Sequence, residues 1–143
     1  MGTPEPDFPA RKIVETVRTD NQSGAAQLAT RALTLLRQWL AAGEVSPDTL
    51  KKLLNDLAGA RPSMVPLANA MERVRQSLIG SQDGASAAEQ ALPVVDSVLE
   101  QIASANHRVA EIATTRIPER ARIFTHSRSS QVLAVFRLLV KQG

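Results

Sequence analysis

The chain has 143 residues, of which 43 % are hydrophobic, and by length it should bury one core in a single domain. It contains no cysteine, which excludes disulfides, cysteine-ligated zinc, iron–sulfur clusters and a thiolate nucleophile within these residues. Seventeen Lys and Arg against 14 Asp and Glu give a net charge of only +3, with one Trp, three Phe and no Tyr. This balance does not favour a nucleic-acid surface, which usually interleaves basic and aromatic side chains.

The N-terminal segment has neither the basic start nor the apolar run of a signal peptide. No apolar run in the chain approaches the roughly 20 residues that span a bilayer. We therefore expect no membrane partner and a cytoplasmic location. The proline-rich residues 1–9 are expected to form a disordered tail.

Apolar residues at helical spacing, together with caps and helix-stopping glycines, predict about five helices before residue 118. The first carries Ile13 and Val17 and ends at Asp20. The second is expected to start from a Ser23 N-cap. The fifth is expected to kink at Pro93 or to be divided there into two abutting helices, and to turn Val94, Val109 and Ile112 inward. In chain order, the second to fifth helices are predicted at about residues 24–42, 47–59, 64–79 and 85–115.

The pattern changes near the C-terminus. The β-branched and aromatic run Arg122–His126 follows the helix-breaking Ile117-Pro118 and predicts a buried strand. A polar turn at residues 127–130 and an apolar stripe from Val132 to Val140 predict a helix directly after it. Because an isolated strand leaves its backbone groups unpaired, its partners would come from residues absent here or from another chain.

The predicted turn is a candidate anion site. Backbone N–H groups of residues 127–130, their hydroxyls and Arg128 would lie at the positive end of a helix. Plain capping of that helix by Ser129 or Ser130 explains the same residues. His126 would lie at the strand end where α/β sheets place ligands, or would bond within the turn. The two histidines are too far apart, without clustered carboxylates, to predict a metal site.

Four stretches of the chain together resemble one family, over roughly residues 13–143. The most specific parts of the resemblance are the Arg61-Pro62-Ser63 motif and the Thr125-His126-Ser127 turn. The family contains the alpha, beta and delta regulatory subunits of translation initiation factor 2B, ribose-1,5-bisphosphate isomerase and methylthioribose-1-phosphate isomerase. The four stretches are residues 20–26, 61–70, 105–112 and 122–133.

The resemblance implies a subunit in two parts, a helical N-terminal domain and a Rossmann-like domain through which subunits form homo- or hetero-oligomers. The predicted fold class is therefore mainly α, with about five or six helices. Residues 10–118 would form the helical domain, and residues 119–143 would be the first strand and helix of an incomplete Rossmann-like α/β domain.

The resemblance also implies roles for individual residues. In the isomerases the arginine that corresponds to Arg61 binds substrate, and the residue at the position of Ser127 is the catalytic cysteine. Ser23 stands where they carry an arginine, and their catalytic aspartate would lie beyond Gly143. These departures predict no catalytic residue in this chain, and no cofactor or metal is predicted either. The predicted ligand-binding residues are Ser23, Gly24, Arg61, His126, Ser127, Arg128 and Ser129.

The sequence therefore favours a binding or regulatory protein that resembles factor 2B subunits and takes a phosphate-bearing small molecule, either a sugar phosphate or a nucleotide. One alternative is a sugar-phosphate aldose–ketose isomerase relative whose catalytic domain is missing from this chain. A second alternative is a structural helical module that pairs with another chain. The plain alternative for Arg61 is an exposed arginine in a loop, and the plain alternative for Ser23-Gly24-Ala25 is a helix cap.

Overall fold

The computed structural model describes residues 8–80, 84–127 and 129–143, which contain six α-helices and no β-strand. The backbone contacts divide the chain into two compact units, Met1–Leu99 and Glu100–Gly143, with the division inside the fifth helix. The helices are α1 Phe8–Arg18, α2 Ala25–Ala41, α3 Pro47–Ala60, α4 Val65–Gln76, α5 Ala87–Arg116 and α6 Ser130–Gln142.

The helix boundaries follow local capping chemistry. The Ser46 hydroxyl accepts the amide N–H of Thr49 at 3.1 Å and Pro47 occupies the first turn of α3, as the sequence predicts. The predicted Ser23 cap of α2 is wrong by one residue, because the N-cap is Gly24. Ser23 donates its hydroxyl to Asp20 instead, and Gln27 Oε1 accepts the Gly24 N–H at 3.2 Å.

The core of the first unit lies among α1 to α4. Helix α1 packs on α2 and α3, and α4 packs on α2 and α3 as well. The leucine stripes predicted from the sequence are buried in this core. Removing these side chains from water is the main source of its stability. The fully buried leucines are Leu28, Leu33, Leu36, Leu40, Leu50, Leu54, Leu57 and Leu67.

Helix α5 runs without interruption from Ala87 to Arg116, so Pro93 lies inside one helix and does not divide two. The expected kink stays a prediction. The inward orientation predicted for Val109 and Ile112 is wrong, because both are exposed, whereas Ala110 and Thr114 are buried. Residues 110 and 114 are one turn apart on a helix, and the apolar spacing alone does not decide which face is covered.

The predicted strand at residues 122–126 is not formed. Residues 121–125 have no regular secondary structure, and no residue in the described part of the chain belongs to a β-strand. A strand exists through hydrogen bonds to a neighbour, so local β-propensity alone could not produce one. In this segment the side chain of Phe124 is 91 % exposed.

Helix α6 is amphipathic in sequence, yet none of its residues is buried. Val140 is 82 % exposed, in contrast to the closed leucine core of the first unit. None of the helices in the described ranges is at once long enough and apolar enough to cross a bilayer.

Two valines test this difference between the units. Val74 in α4 is 0 % exposed and Val140 in α6 is 82 % exposed. We expect Val74→Ala to lower the free energy of unfolding by about 2–3 kcal/mol, since two buried methyl groups are lost and a cavity remains. Val140→Ala should change it by less than about 0.5 kcal/mol. Urea denaturation of both variants measures this, and equal losses would contradict the assigned burial.

Candidate functional site

The segment between α1 and α2, residues 20–24, is organised around one carboxylate and is called the Asp20 turn below. The Asp20 side chain is only 1 % exposed. It accepts the backbone N–H of Gln22 at 3.0 Å and that of Ser23 at 2.9 Å, and the Ser23 hydroxyl at 2.8 Å. Arg31 Nη1 in α2 lies 2.5 Å from the second carboxylate oxygen. All the donors that a buried carboxylate requires are therefore present.

These donors also fix the ionisation state of Asp20. The Ser23 amide has the largest effect and lowers the pKa of the carboxyl well below its usual value of 3.8. Burial opposes it, while the Ser23 hydroxyl, Arg31 and the Gln22 amide lower the pKa further. Asp20 is therefore a permanent negative charge over the physiological pH range.

Arg61 joins a second part of the first unit to the same turn. It follows α3 as its C-cap residue, and its carbonyl accepts the Met64 N–H at 2.9 Å before α4 begins. Its Nη1 donates a hydrogen bond to the backbone carbonyl of Asp20. The structure thus brings Arg61 to the Asp20 turn through the carbonyl of Asp20, although 41 residues separate the two along the chain.

The charge at this place is unbalanced. Two guanidinium groups, Arg31 and Arg61, contact Asp20, and Asp20 supplies a single carboxylate. Among the described residues, no carboxylate pairs with Arg61. By contrast, three other arginines each have an acidic partner; the pairs are Arg18–Glu15, Arg37–Asp96 and Arg75–Glu72. The Asp20 turn therefore carries a net positive charge that an anion could neutralise.

The predicted corner in the second unit has a different arrangement. The Ser129 hydroxyl accepts the Val132 N–H at 3.1 Å, so plain capping of α6 is confirmed for this residue. Thr125 Oγ1 donates to the carbonyl of Ser127 at 2.8 Å. His126 and Ser127 are exposed, and no hydrogen bond joins their side chains. Arg128 lies outside the described residues.

The seven predicted ligand-binding residues thus fall into two groups. Ser23, Gly24 and Arg61 belong to the first unit and share the Asp20 turn. The group at residues 126–129 belongs to the second unit. Within the part of the chain that the structure describes, no cluster of His, Asp or Glu is placed to hold a metal ion.

Sequence reasoning missed Asp20 and Arg31 as site residues. The usable signal was the Asp-x-x-Ser spacing of residues 20–23, in which a carboxylate can accept the N–H groups two and three residues later. Arg31 carried no such signal, because its contact spans 11 residues and depends on how α2 leaves the turn.

A cavity of about 450 Å³ lies between α1 and α3, and none of the residues that line it is a predicted ligand-binding residue. Three cations line it, Arg11, Arg18 and Lys52, and the last two are paired with Glu15 and Asp56 at 2.9 Å and 3.0 Å. These two ion pairs account for four of the five charged side chains that line the cavity.

The Asp20 network predicts a dependence of stability on pH. Its pKa is lowered by folding, so its stabilisation is present above the unfolded value near 3.8 and is lost as pH falls below that value toward the folded one. We expect Asp20→Asn to lower the free energy of unfolding by about 1–3 kcal/mol at pH 7. The variant should also lose less stability than the wild type between about pH 4 and pH 2.

Urea denaturation across that pH range measures both effects. Asp96→Asn is the control, since its half-exposed pair with Arg37 is expected to contribute less than about 1 kcal/mol. Parallel pH profiles for the wild type and Asp20→Asn would contradict the assigned network.

Comparison with known proteins places these residues in a family. No curated protein matches the chain. The profile of the Initiation factor 2 subunit family, IF-2B, matches residues 21–143, which is most of the chain and includes Arg61 and the Ser127 position. The match agrees with the resemblance carried by the Arg61-Pro62-Ser63 and Thr125-His126-Ser127 motifs. The chain belongs to the Initiation factor 2 subunit family.

Proposed function

We propose that this protein is a non-catalytic, factor 2B-like regulatory protein that binds a sugar phosphate or a nucleotide through its phosphate group. The observation that carries the proposal is the state of Arg61. It is half-buried, anchored through one N–H to the Asp20 carbonyl and, among the described residues, has no carboxylate partner. Membership of the family supports the factor 2B-like part of the proposal.

The chemistry of Arg61 suits a phosphate. A guanidinium has five N–H donors in a planar fork that matches two phosphate oxygens. One donor is used by the Asp20 carbonyl, which holds the group in place and leaves the others for a ligand. Ser23 and Gly24 lie in the same turn, and Gly24 caps α2 without a side chain. The first-turn N–H groups of α2 therefore add positive partial charge.

A non-catalytic role is supported by the residue at position 127. A serine hydroxyl has a pKa far above that of a thiol and transfers protons poorly unless a base is positioned beside it. Ser127 is exposed and has no hydrogen bond to the neighbouring His126. The chain also has no cysteine that could replace it. Residues 126–129 stay candidates for anion contacts, but the present proposal rests on the first unit.

We further propose that residues 119–143 correspond to the Rossmann-like part of the family's subunits and associate with another chain in a homo- or hetero-oligomer. The exposed apolar side chains support this, because Phe124 is 91 % exposed and α6 has no buried residue. Apolar surface of this kind is stabilised when another surface removes it from water.

The phosphate proposal is tested by thermal shift. We expect ribose 5-phosphate or AMP, at about 100 times its dissociation constant, to stabilise the protein by about 2.7 kcal/mol. That corresponds to an increase of several degrees in Tm. Arg61→Ala should abolish the increase because the anchored charge is lost. Arg61→Gln retains a donor for the Asp20 carbonyl and should also abolish it, which separates ligand loss from damage to the fold.

The matched control is Arg37→Ala, which removes a half-exposed arginine already paired with Asp96 in the same unit. It should leave the shift unchanged. Equal shifts in the wild type and both Arg61 variants, or no shift in the wild type, would reject the phosphate site.

The non-catalytic proposal predicts that the wild type does not interconvert aldose and ketose phosphates. We expect Ser127→Cys to be inactive as well, since a thiol at position 127 still lacks a bonded base. A coupled assay with ribose 1,5-bisphosphate and methylthioribose 1-phosphate measures this, with Ser129→Cys as the matched control. Turnover by the wild type would overturn the proposal and favour an isomerase.

A further inference from the structure

We propose that Arg31 is a second ligand-binding arginine of the Asp20 turn and that the two arginines together select the dianion of a phosphate monoester. Asp20 is then the positioning residue that holds both guanidinium groups. This inference rests on the proposed phosphate site at Arg61. It adds a residue and a charge state of the ligand that sequence reasoning did not supply.

Arg31 reaches the turn from within α2. Long side chains on a helix point back toward its N-terminus, which brings a residue of the second turn to the segment that precedes the helix. There Nη1 lies 2.5 Å from Asp20 Oδ2, while half of the side chain stays exposed. No other protein acceptor among the described residues engages this guanidinium, so most of its N–H groups are available to a ligand.

The two arginines meet at one residue. Asp20 binds Arg31 through its carboxylate and Arg61 through its backbone carbonyl. The carboxylate in turn is fixed by Ser23 and Gln22, which leaves it no freedom to turn away. Both guanidinium groups are therefore held at the same turn before any ligand binds, and this lowers the entropic cost of binding.

The net charge at the Asp20 turn favours one of two classes of ligand, phosphate monoesters over phosphodiesters. Arg31 and Arg61 contribute two positive charges and Asp20 contributes one negative charge, which leaves one positive charge in excess. The N-terminus of α2 adds about half a charge, and its Gly24 cap provides no side chain to offset it. A phosphate monoester carries between about 1.5 and 2 negative charges at neutral pH, whereas a phosphodiester carries only one. The monoester is the better match.

A second arginine on the same helix shows what distinguishes Arg31. Arg37 is also 50 % exposed, but its Nε donates to Asp96 at 2.6 Å in a pair that is neutral overall. The carboxylate of Asp20 is shared instead between Arg31 and three donors of its own turn. Arg37 is thus a matched control for removal of one positive charge from α2.

The test is isothermal titration at pH 7.5 with glycerol 3-phosphate as the monoester and dimethyl phosphate as the diester. We expect the wild type to bind the monoester at least about tenfold more tightly. Arg31→Gln should weaken monoester binding about 10- to 100-fold, since a charge-assisted contact is lost, and should reduce the preference for the monoester. Arg31→Lys should keep part of the preference, and Arg37→Gln should keep all of it.

The outcomes separate this inference from the proposed function. If the wild type binds neither ligand, the phosphate site itself is rejected. If it binds the monoester and Arg31→Gln binds it equally well, only the role of Arg31 is overturned. Circular dichroism establishes whether Arg31→Gln is folded. If the variant is not folded, NMR of the wild type replaces it. The Arg31 Nε–Hε signal should shift on addition of glycerol 3-phosphate, and the Arg37 signal should not; an unchanged Arg31 signal would overturn its role.

Discussion

The side chain of Asp20 is only 1 % exposed, so its carboxylate needs hydrogen-bond donors from the protein in place of water. The first unit supplies these donors. The Ser23 and Gln22 amides shape the turn, and Arg31 ties it to α2. The carbonyl of the same residue receives Arg61 from the end of α3. One residue thereby connects three helices and leaves two arginines partly free to meet an anion.

The fold of the first unit was largely predictable because helix caps and apolar spacing within each segment specify its helices. Ser46 and Pro47 begin α3, and the leucine stripe of α2 is buried as its spacing predicts. The second unit was predicted less well. The strand at residues 122–126 depended on a neighbour that no local pattern can supply, and the inward face chosen for Val109 and Ile112 depended on packing.

The candidate site was predictable only in part. Arg61 stood out through the Arg-Pro-Ser motif, and its hydrogen bond to the Asp20 carbonyl gives that motif a physical context. From the sequence, Asp20 is a residue that ends α1, because its role as a hydrogen-bond acceptor depends on the folded turn. Arg31 looked like any polar residue on the exposed face of a helix. A residue whose role arises from a contact across two elements carries little trace in the sequence.

The central claim is that the excess positive charge at the Asp20 turn binds a phosphate group. A crystal structure of the protein grown with saturating ribose 5-phosphate tests it most directly. The account predicts phosphate oxygens within about 3 Å of the guanidinium groups of both Arg61 and Arg31. Phosphate bound at another position, with both arginines unchanged and the Asp20 turn unoccupied, would contradict it.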